Sequence, residues 1–267
     1  MYFLCLTCTP DEIEHLSFKL WEAGTSGIQE ISDEEMGTVS LVAGFSGDES
    51  REALLTRFRR WSPKWRIEQT TDWVQQTYAA WPARAVGERI FLAPPWNTDP
   101  TPPGRVRIVH NPGLACGTGE HPCTRLALMA LEQCITLGCR VIDIGTGSGL
   151  LALAAQHLGA GVAVGVDNDE AALKTARENF RLNKLDGALV AGSADCLAQS
   201  SADVAVANIN ASVILSMLDE LLLTVRNEGW LILTGFTEAE LPAILQNLSN
   251  GIVLEVDEWR CVIWRAV

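Results

Sequence analysis

The stretch VIDIGTGSGLLALAA, Val141 to Ala155, decides the fold. An apolar strand runs into a turn carrying Gly145, Gly147 and Gly149, and an apolar helix leaves it. Residues without a Cβ let the backbone turn tightly and present amides at the start of the next helix, which suits a nucleotide-like ligand. The pattern is G-x-G-x-G followed by Leu150, where a dinucleotide fingerprint wants a small residue for close helix packing; this counts against NAD and FAD. No G-x-x-x-x-G-K-[ST] run occurs, so a nucleoside triphosphate lacks its lysine and its magnesium-binding hydroxyl. The expected ligand carries no phosphate chain.

Outward from this turn, AVGVDNDEAALKTARENFRLN places Asp167 at the end of a second apolar strand, about 20 residues on, where a ribose-binding acid is expected. A carboxylate there accepts from both ribose hydroxyls. Asp143 ends the first strand, and Asp195 follows the third candidate strand in GSADCL. Three acids around one switch point suit a cationic ligand, and S-adenosylmethionine carries a sulfonium and an ammonium. Asn168 and Asp169 are better placed than Asp167 to cap the following helix.

From Arg105 to the end, apolar strands and amphipathic segments alternate. Candidate strands are Cys139–Ile144, Val162–Val166, Ala188–Ala191, Val204–Ala207, Trp230–Thr234, Ile252–Val256 and Cys261–Arg265, with helices expected in the first five gaps. This predicts an α/β fold, a doubly wound parallel sheet with ligand at the carboxyl ends of its strands. Asp257 to Arg260 is too short for a crossover, so the last strand must run antiparallel. Seven strands with one reversed is the class I architecture of S-adenosylmethionine-dependent methyltransferases.

Residues 1–69 read strand, helix, strand, strand, helix, strand: Tyr2–Thr7, Pro10–Ala23, Ile28–Ile31, Thr38–Phe45, Asp48 to about Trp61, and Trp65–Gln69. That order predicts a small ferredoxin-like α+β domain with a binding or packing role. Residues 70–104 change character, with Trp73, Trp81 and Trp96 among the prolines of LAPPWNTDPTPPG. They read as a stiffened linker without a central strand, anchored by tryptophans. The third region, 105–267, is the ligand-binding domain.

The 267 residues carry a formal charge of −13 and 48% hydrophobic residues, enough for a sizeable core. The acidity argues against a sequence-independent grip on nucleic acid, and a basic protein partner fits better. The opening MYFLCLTCTPDEIEH has neither a basic region nor a long apolar core, so a soluble cytoplasmic protein is expected, and eight cysteines in a chain this long suggest reduced, mostly buried thiols. Cys5 and Cys8 point to opposite faces of a strand and have no second pair, so no metal site is expected. His121 and Cys123 lack the rest of a deaminase motif.

The combination PGLACGTGEHPCT, VIDIGTGSGLLA, GVDNDEAAL and VANINASV resembles the ribosomal protein L-eleven methyltransferase family. The linker pair Asp72 and Trp73 and the late pair Glu258 and Trp259 extend the resemblance. It implies transfer of methyl groups from S-adenosylmethionine to lysine side chains and an N-terminal amine of a large-subunit ribosomal protein, with the small N-terminal domain recognising that substrate. It implies cofactor contact at Thr124, Gly145, Asp167 and Asn208, with Gly147 in the same glycine turn. It places Thr118 and Gly119 in the loop over the methionine part. Where the family has phenylalanine, threonine, cysteine and leucine, this chain has Cys116, Cys123, Thr146 and Asn210. Cys116 and Asn210 are expected near the transferred methyl.

An amine must be neutral, close and collinear with the departing sulfur to be methylated, so positioning supplies most of the acceleration. A lysine ammonium titrates near 10.4, and the site must select or favour its neutral form. Asn208 can accept from that amine through its amide oxygen without adding charge, which makes it the candidate catalytic residue. His121, followed by Pro122, is expected to begin a helix rather than act as base. Alternatives are lysine methylation of another protein, such as an electron-transfer flavoprotein subunit, and a non-catalytic cofactor-binding module. A missing N-P-P-[YF] segment after Asn208 weighs against nucleic-acid bases.

Overall fold

A computed structural model describes residues 2–25, 27–33, 37–45, 51–66, 81–111, 119 and 121–267. The chain divides into two compact units, Met1–Thr77 and Tyr78–Val267.

In the first unit, alternation in YFLCLTC turns Leu4 and Leu6 to one side of β1 (Tyr2–Cys8). A capping box between Thr9 and Glu12 starts the turn ahead of α1 (Ile13–Glu22), whose Leu16 and Leu20 bury against Leu4, Leu6, Leu41 and Phe58. Complete burial of one leucine contributes about 1.5–3 kcal/mol. The hairpin β2 (Gly27–Asp33) and β3 (Thr38–Phe45), then α2 (Arg51–Arg57) and β4 (Lys64–Arg66), complete the unit. The sheet order is β2-β3-β1-β4 with every neighbour antiparallel. This is the expected split βαβ arrangement; residues 48–50 and 67–69 of the expected elements lie outside the described residues.

The stretch expected as a linker to residue 104 is partly folded sheet. Strands β5 (Arg84–Val86), β6 (Ile90–Ala93) and β7 (Val106–Val109) form a three-stranded sheet of that order, with β6–β7 parallel. Its prolines flank the strands instead of interrupting them, so β6 occupies the central place that the sequence had denied to this segment. Val86, Ile90, Leu92 and Ile108 are buried in the main core of the second unit.

The seven-stranded sheet consists of β8 (Arg140–Ile144), β9 (Val162–Asp167), β10 (Ala188–Ala191), β11 (Ala202–Asn208), β12 (Val225–Thr237), β13 (Ile252–Val256) and β14 (Trp259–Arg265). Its order is β10-β9-β8-β11-β12-β14-β13. Strands β8 to β12 pair in parallel, while β14 runs antiparallel to both β12 and β13, as expected. Period-2 alternation sends Val141, Val204, Val206 and Ile263 into one core layer and Ile142, Ile144, Ala205 and Val262 into the other.

Helices α3 (Pro122–Cys134), α4 (Leu150–Leu158) and α5 (Glu170–Leu182) precede and link the first strands. Helices α6 (Ala211–Ser216), α7 (Leu218–Thr224) and α8 (Leu241–Leu245) fill later gaps. The third gap departs from expectation: between β10 and β11 only the 3-10 turn Ala194–Cys196 forms. Its sequence, GSADCLAQSS, offers no apolar face long enough for a helix to bury.

Candidate active site

Strand β8 delivers Asp143 and the glycine turn to the carboxyl end of the sheet. Asp143 is buried, and its Oδ2 accepts from the Thr146 hydroxyl at 2.6 Å and from the Ala152 amide at 3.1 Å. Oδ1 has no partner, and burial pushes the carboxyl up to about 7. Asp143 thus braces the turn from below and is absent from the cavity lining. Thr146, one of the departures from the family pattern, supplies its hydroxyl partner. Gly145 has φ +72, and a Cβ there would meet Ile209 Cγ2 at 2.5 Å; only glycine satisfies both constraints.

Strand β9 ends on Asp167, half-buried at the cavity wall. Its Oδ2 accepts from the Gly147 amide at 2.8 Å and its Oδ1 from the Asp169 amide at 3.0 Å. The acid therefore ties the glycine turn to the start of α5. Asp169 caps α5 by accepting from Ala171 at 2.8 Å, so the capping role falls to it and not to Asp167.

Two other expected residues meet across the sheet. Thr124, in the first turn of α3, is buried, and Asn208 ends β11; Asn208 Nδ2 donates to Thr124 Oγ1 at 3.3 Å. That commitment of the amide nitrogen leaves Oδ1 as the acceptor for a ligand. His121 is the N-cap of α3, its Nδ1 accepting from the Cys123 amide at 3.3 Å, which gives it the expected helix-starting role. Its ring packs edge-on with Trp259 at 4.5 Å. Cys123 is buried beside them; burial pushes its thiol up, offset in part by hydrogen bonds with the Thr234 hydroxyl and the Gly235 amide.

These groups line one cavity of about 970 Å³, of the size that holds a cofactor. His121, Thr124, Gly145, Gly147, Asp167 and Asn208 all reach it, as do Leu150, Gly192, Ser193 and Trp259. Asp195 does not: it is exposed in the 3-10 turn, while Gly192 and Ser193 of the same connection form the wall. Gly119 is buried outside the lining, with Leu92 Cδ2 where a Cβ would stand. Thr118 and Cys116 lie outside the described residues. Asn210 lines the cavity, but its Oδ1 caps α6, accepting from Val213 at 3.0 Å and from the Ser212 hydroxyl at 2.8 Å.

Sequence reasoning missed the support beneath the turn. Asn179 on α5 and Asn183, the C-cap of that helix, face the chain leaving β7. Asn183 accepts from the Val109 amide at 2.9 Å and donates to the Val109 carbonyl at 2.6 Å. Asn179 accepts from the Asn111 amide at 2.9 Å and donates to the carbonyls of Asn111 and Ser148 at 3.1 and 2.9 Å. Between them, buried His110 places Nε2 2.9 Å from Ser148 Oγ, and burial lowers its pKa to about 4. Two asparagines spaced i, i+4 on an amphipathic helix were the available signal, although nothing in the sequence names their partners.

Comparison with known proteins agrees with this architecture. The family model for ribosomal protein L11 methyltransferase matches residues 33–266. The ribosomal protein L11 methyltransferase of Symbiobacterium thermophilum is 33% identical over 248 residues, covering 91% of this chain and 80% of that protein. Its counterpart in Dechloromonas aromatica is 37% identical over 206 residues, or 75% of this chain and 69% of that one. The crystal structure of ribosomal protein L11 methylase from Lactobacillus delbrueckii subsp. bulgaricus superposes with a TM-score of 0.63 at 29% identity, covering 70% of this chain and 98% of that chain. A 16S rRNA methyltransferase from T. thermophilus, solved with AdoMet and guanosine, shares the fold at 18% identity, a TM-score of 0.55 and 99% coverage of this chain against 65% of its own. With the glycine turn, Asp167, Thr124 and Asn208 gathered at one cavity, this chain belongs to the ribosomal protein L11 methyltransferase family.

Proposed function

We propose that this protein transfers methyl groups from S-adenosylmethionine to lysine and N-terminal amino groups of ribosomal protein L11. The observation that carries this reading is the convergence of Asp167, the glycine turn, Thr124 and Asn208 on one cavity at the carboxyl ends of β8, β9 and β11. The residues fit the cofactor: each Asp167 oxygen accepts one backbone amide and keeps a lone pair for a ribose hydroxyl. Gly145 and Gly147 let backbone approach the ligand closely, while Gly192 and Ser193 wall the side nearest β10.

The bound cofactor supplies an electrophilic methyl on sulfonium. Asn208 Oδ1 accepts from the amine and aims its lone pair without favouring the ammonium, and Thr124 fixes that amide in place. Asn208 is therefore the catalytic residue of this reading. The small N-terminal domain, residues 1–69, recognises the protein substrate, and the acidic balance of the chain suits a basic one. Among the described residues no helix is long and apolar enough to cross a membrane, and we place the enzyme in the cytoplasm with its substrate.

The test is a labelled-methyl assay on L11 from a source lacking this modification, followed by mass spectrometry of the product. Label on L11 amino groups is the expected result. Cofactor binding without any transfer to L11 overturns the reading.

A further inference from the structure

We propose that Arg260 is a positioning residue for the acceptor amine, acting through Trp259. The inference rests on the transfer reaction proposed above. Along the sheet the cavity runs from Asp167 at the end of β9, past the glycine turn and Asn208, to Trp259 at the start of β14. Because β14 runs antiparallel to β12, its first residue arrives at the edge where the parallel strands finish. With the ribose end at Asp167, the Trp259 end is left for the acceptor. There the Trp259 ring stands against His121 at 4.5 Å, an aromatic wall suited to an alkyl amine and its methylated forms.

What holds that wall is Arg260. It is buried, and its Nη1 donates to the carbonyls of Asp257 and Trp259 at 2.8 and 3.0 Å. Its Nη2 donates to Glu238 at 2.8 Å, with Glu255 at 3.7 Å. The Arg260 carbonyl accepts from the Thr234 hydroxyl at 2.8 Å, and the Glu238 amide donates to the Glu258 carbonyl at 2.8 Å. Val256 pairs with Trp259, so Asp257 and Glu258 make a two-residue hairpin turn. Asp257 has φ +52, a conformation that favours glycine. A guanidinium that joins the carbonyl of Asp257 within this turn to that of Trp259 just after it keeps Trp259 in one orientation at the cavity.

The test compares wild type with Arg260→Met, Arg260→Lys and Glu238→Gln, measuring S-adenosylhomocysteine affinity by calorimetry and steady-state methylation of L11. Arg260→Met should raise KM for L11 on the order of tenfold or more, with S-adenosylhomocysteine affinity within about twofold. Arg260→Lys should recover part of the loss, and Glu238→Gln, whose altered side chain lies on the exposed rim, should show a smaller shift of the same kind if Arg260→Met fails to fold. Unchanged acceptor kinetics in these variants, or equal losses in cofactor and acceptor binding, overturn the inference while wild type stays active. A wild type that never methylates L11 overturns the transfer reaction and this inference with it.

Discussion

The side-chain amide of Asn208 donates to the hydroxyl of Thr124 across 3.3 Å, joining groups 84 residues apart in the chain. In the proposed reaction this contact sets which end of the amide faces the ligand. Asn208→Ala is expected to lower kcat on the order of 10²-fold, as removal of one oriented polar group at a reacting centre does. Thr124→Val frees the amide to rotate and should cost roughly tenfold in kcat, the equivalent of about 1.4 kcal/mol. Single-turnover kinetics on L11 check both; an Asn208→Ala enzyme with full kcat removes Asn208 from the chemistry.

Asp167 is tied to the glycine turn through the Gly147 amide, and in the proposed reaction it also holds the ribose. Asp167→Ala removes a charged acceptor and should weaken S-adenosylmethionine binding by about 1.5–3 kcal/mol. Calorimetry reads this directly, and an unchanged affinity sinks the ribose assignment.

Deleting residues 1–69 should abolish methylation of L11 and leave cofactor affinity unchanged, since the described residues that line the cavity all belong to the second unit. A truncated enzyme that still modifies L11 shows that recognition lies elsewhere.

Proton linkage separates two buried groups. His110 falls from its ordinary 6.5 to about 4 in the folded protein, so its contribution is present above pH 6.5 and is lost as pH falls toward 4, by about 3 kcal/mol in all. Asp143 is raised to about 7, so the folded state holds its proton more tightly and stability is lost as pH rises from about 4 through 7. In urea titrations, His110→Leu should flatten the acid limb and Asp143→Asn the neutral one. An acid limb identical in His110→Leu and wild type contradicts the assignment.

The main features of the fold could be read in advance because each had a local signal. The glycine turn, the period-2 strands and the four residues between Val256 and Cys261 sufficed for the reversed last strand. Strands β5 to β7 gave no such signal: they are three or four residues long, sit among prolines and arginines, and exist through pairing and burial under α3 and α4. At the site, Asp167, Gly145, Gly147, Thr124 and Asn208 were legible from motifs. Trp259 was noticed only as part of a resemblance, because its place depends on β14 returning beside β12. Asp195 lies outside the cavity lining, because distance from a strand end says nothing about which way a 3-10 turn faces. The roles of Asn179, Asn183 and His110 depend on contacts 31 to 74 residues away.

The asparagine pair at the end of α5, Asn179 and the C-cap Asn183, has a consequence for solubility. Strand β7 is the outer strand of its small sheet, and an open outer strand is a template for pairing with another molecule. Asn183 occupies both the amide and the carbonyl of Val109, and Asn179 does the same for Asn111. Two amide side chains thus imitate the partner strand that is missing. Unlike a strand they end there, so the last residue of β7 and the chain just beyond it are covered by side chains that add no new edge of their own.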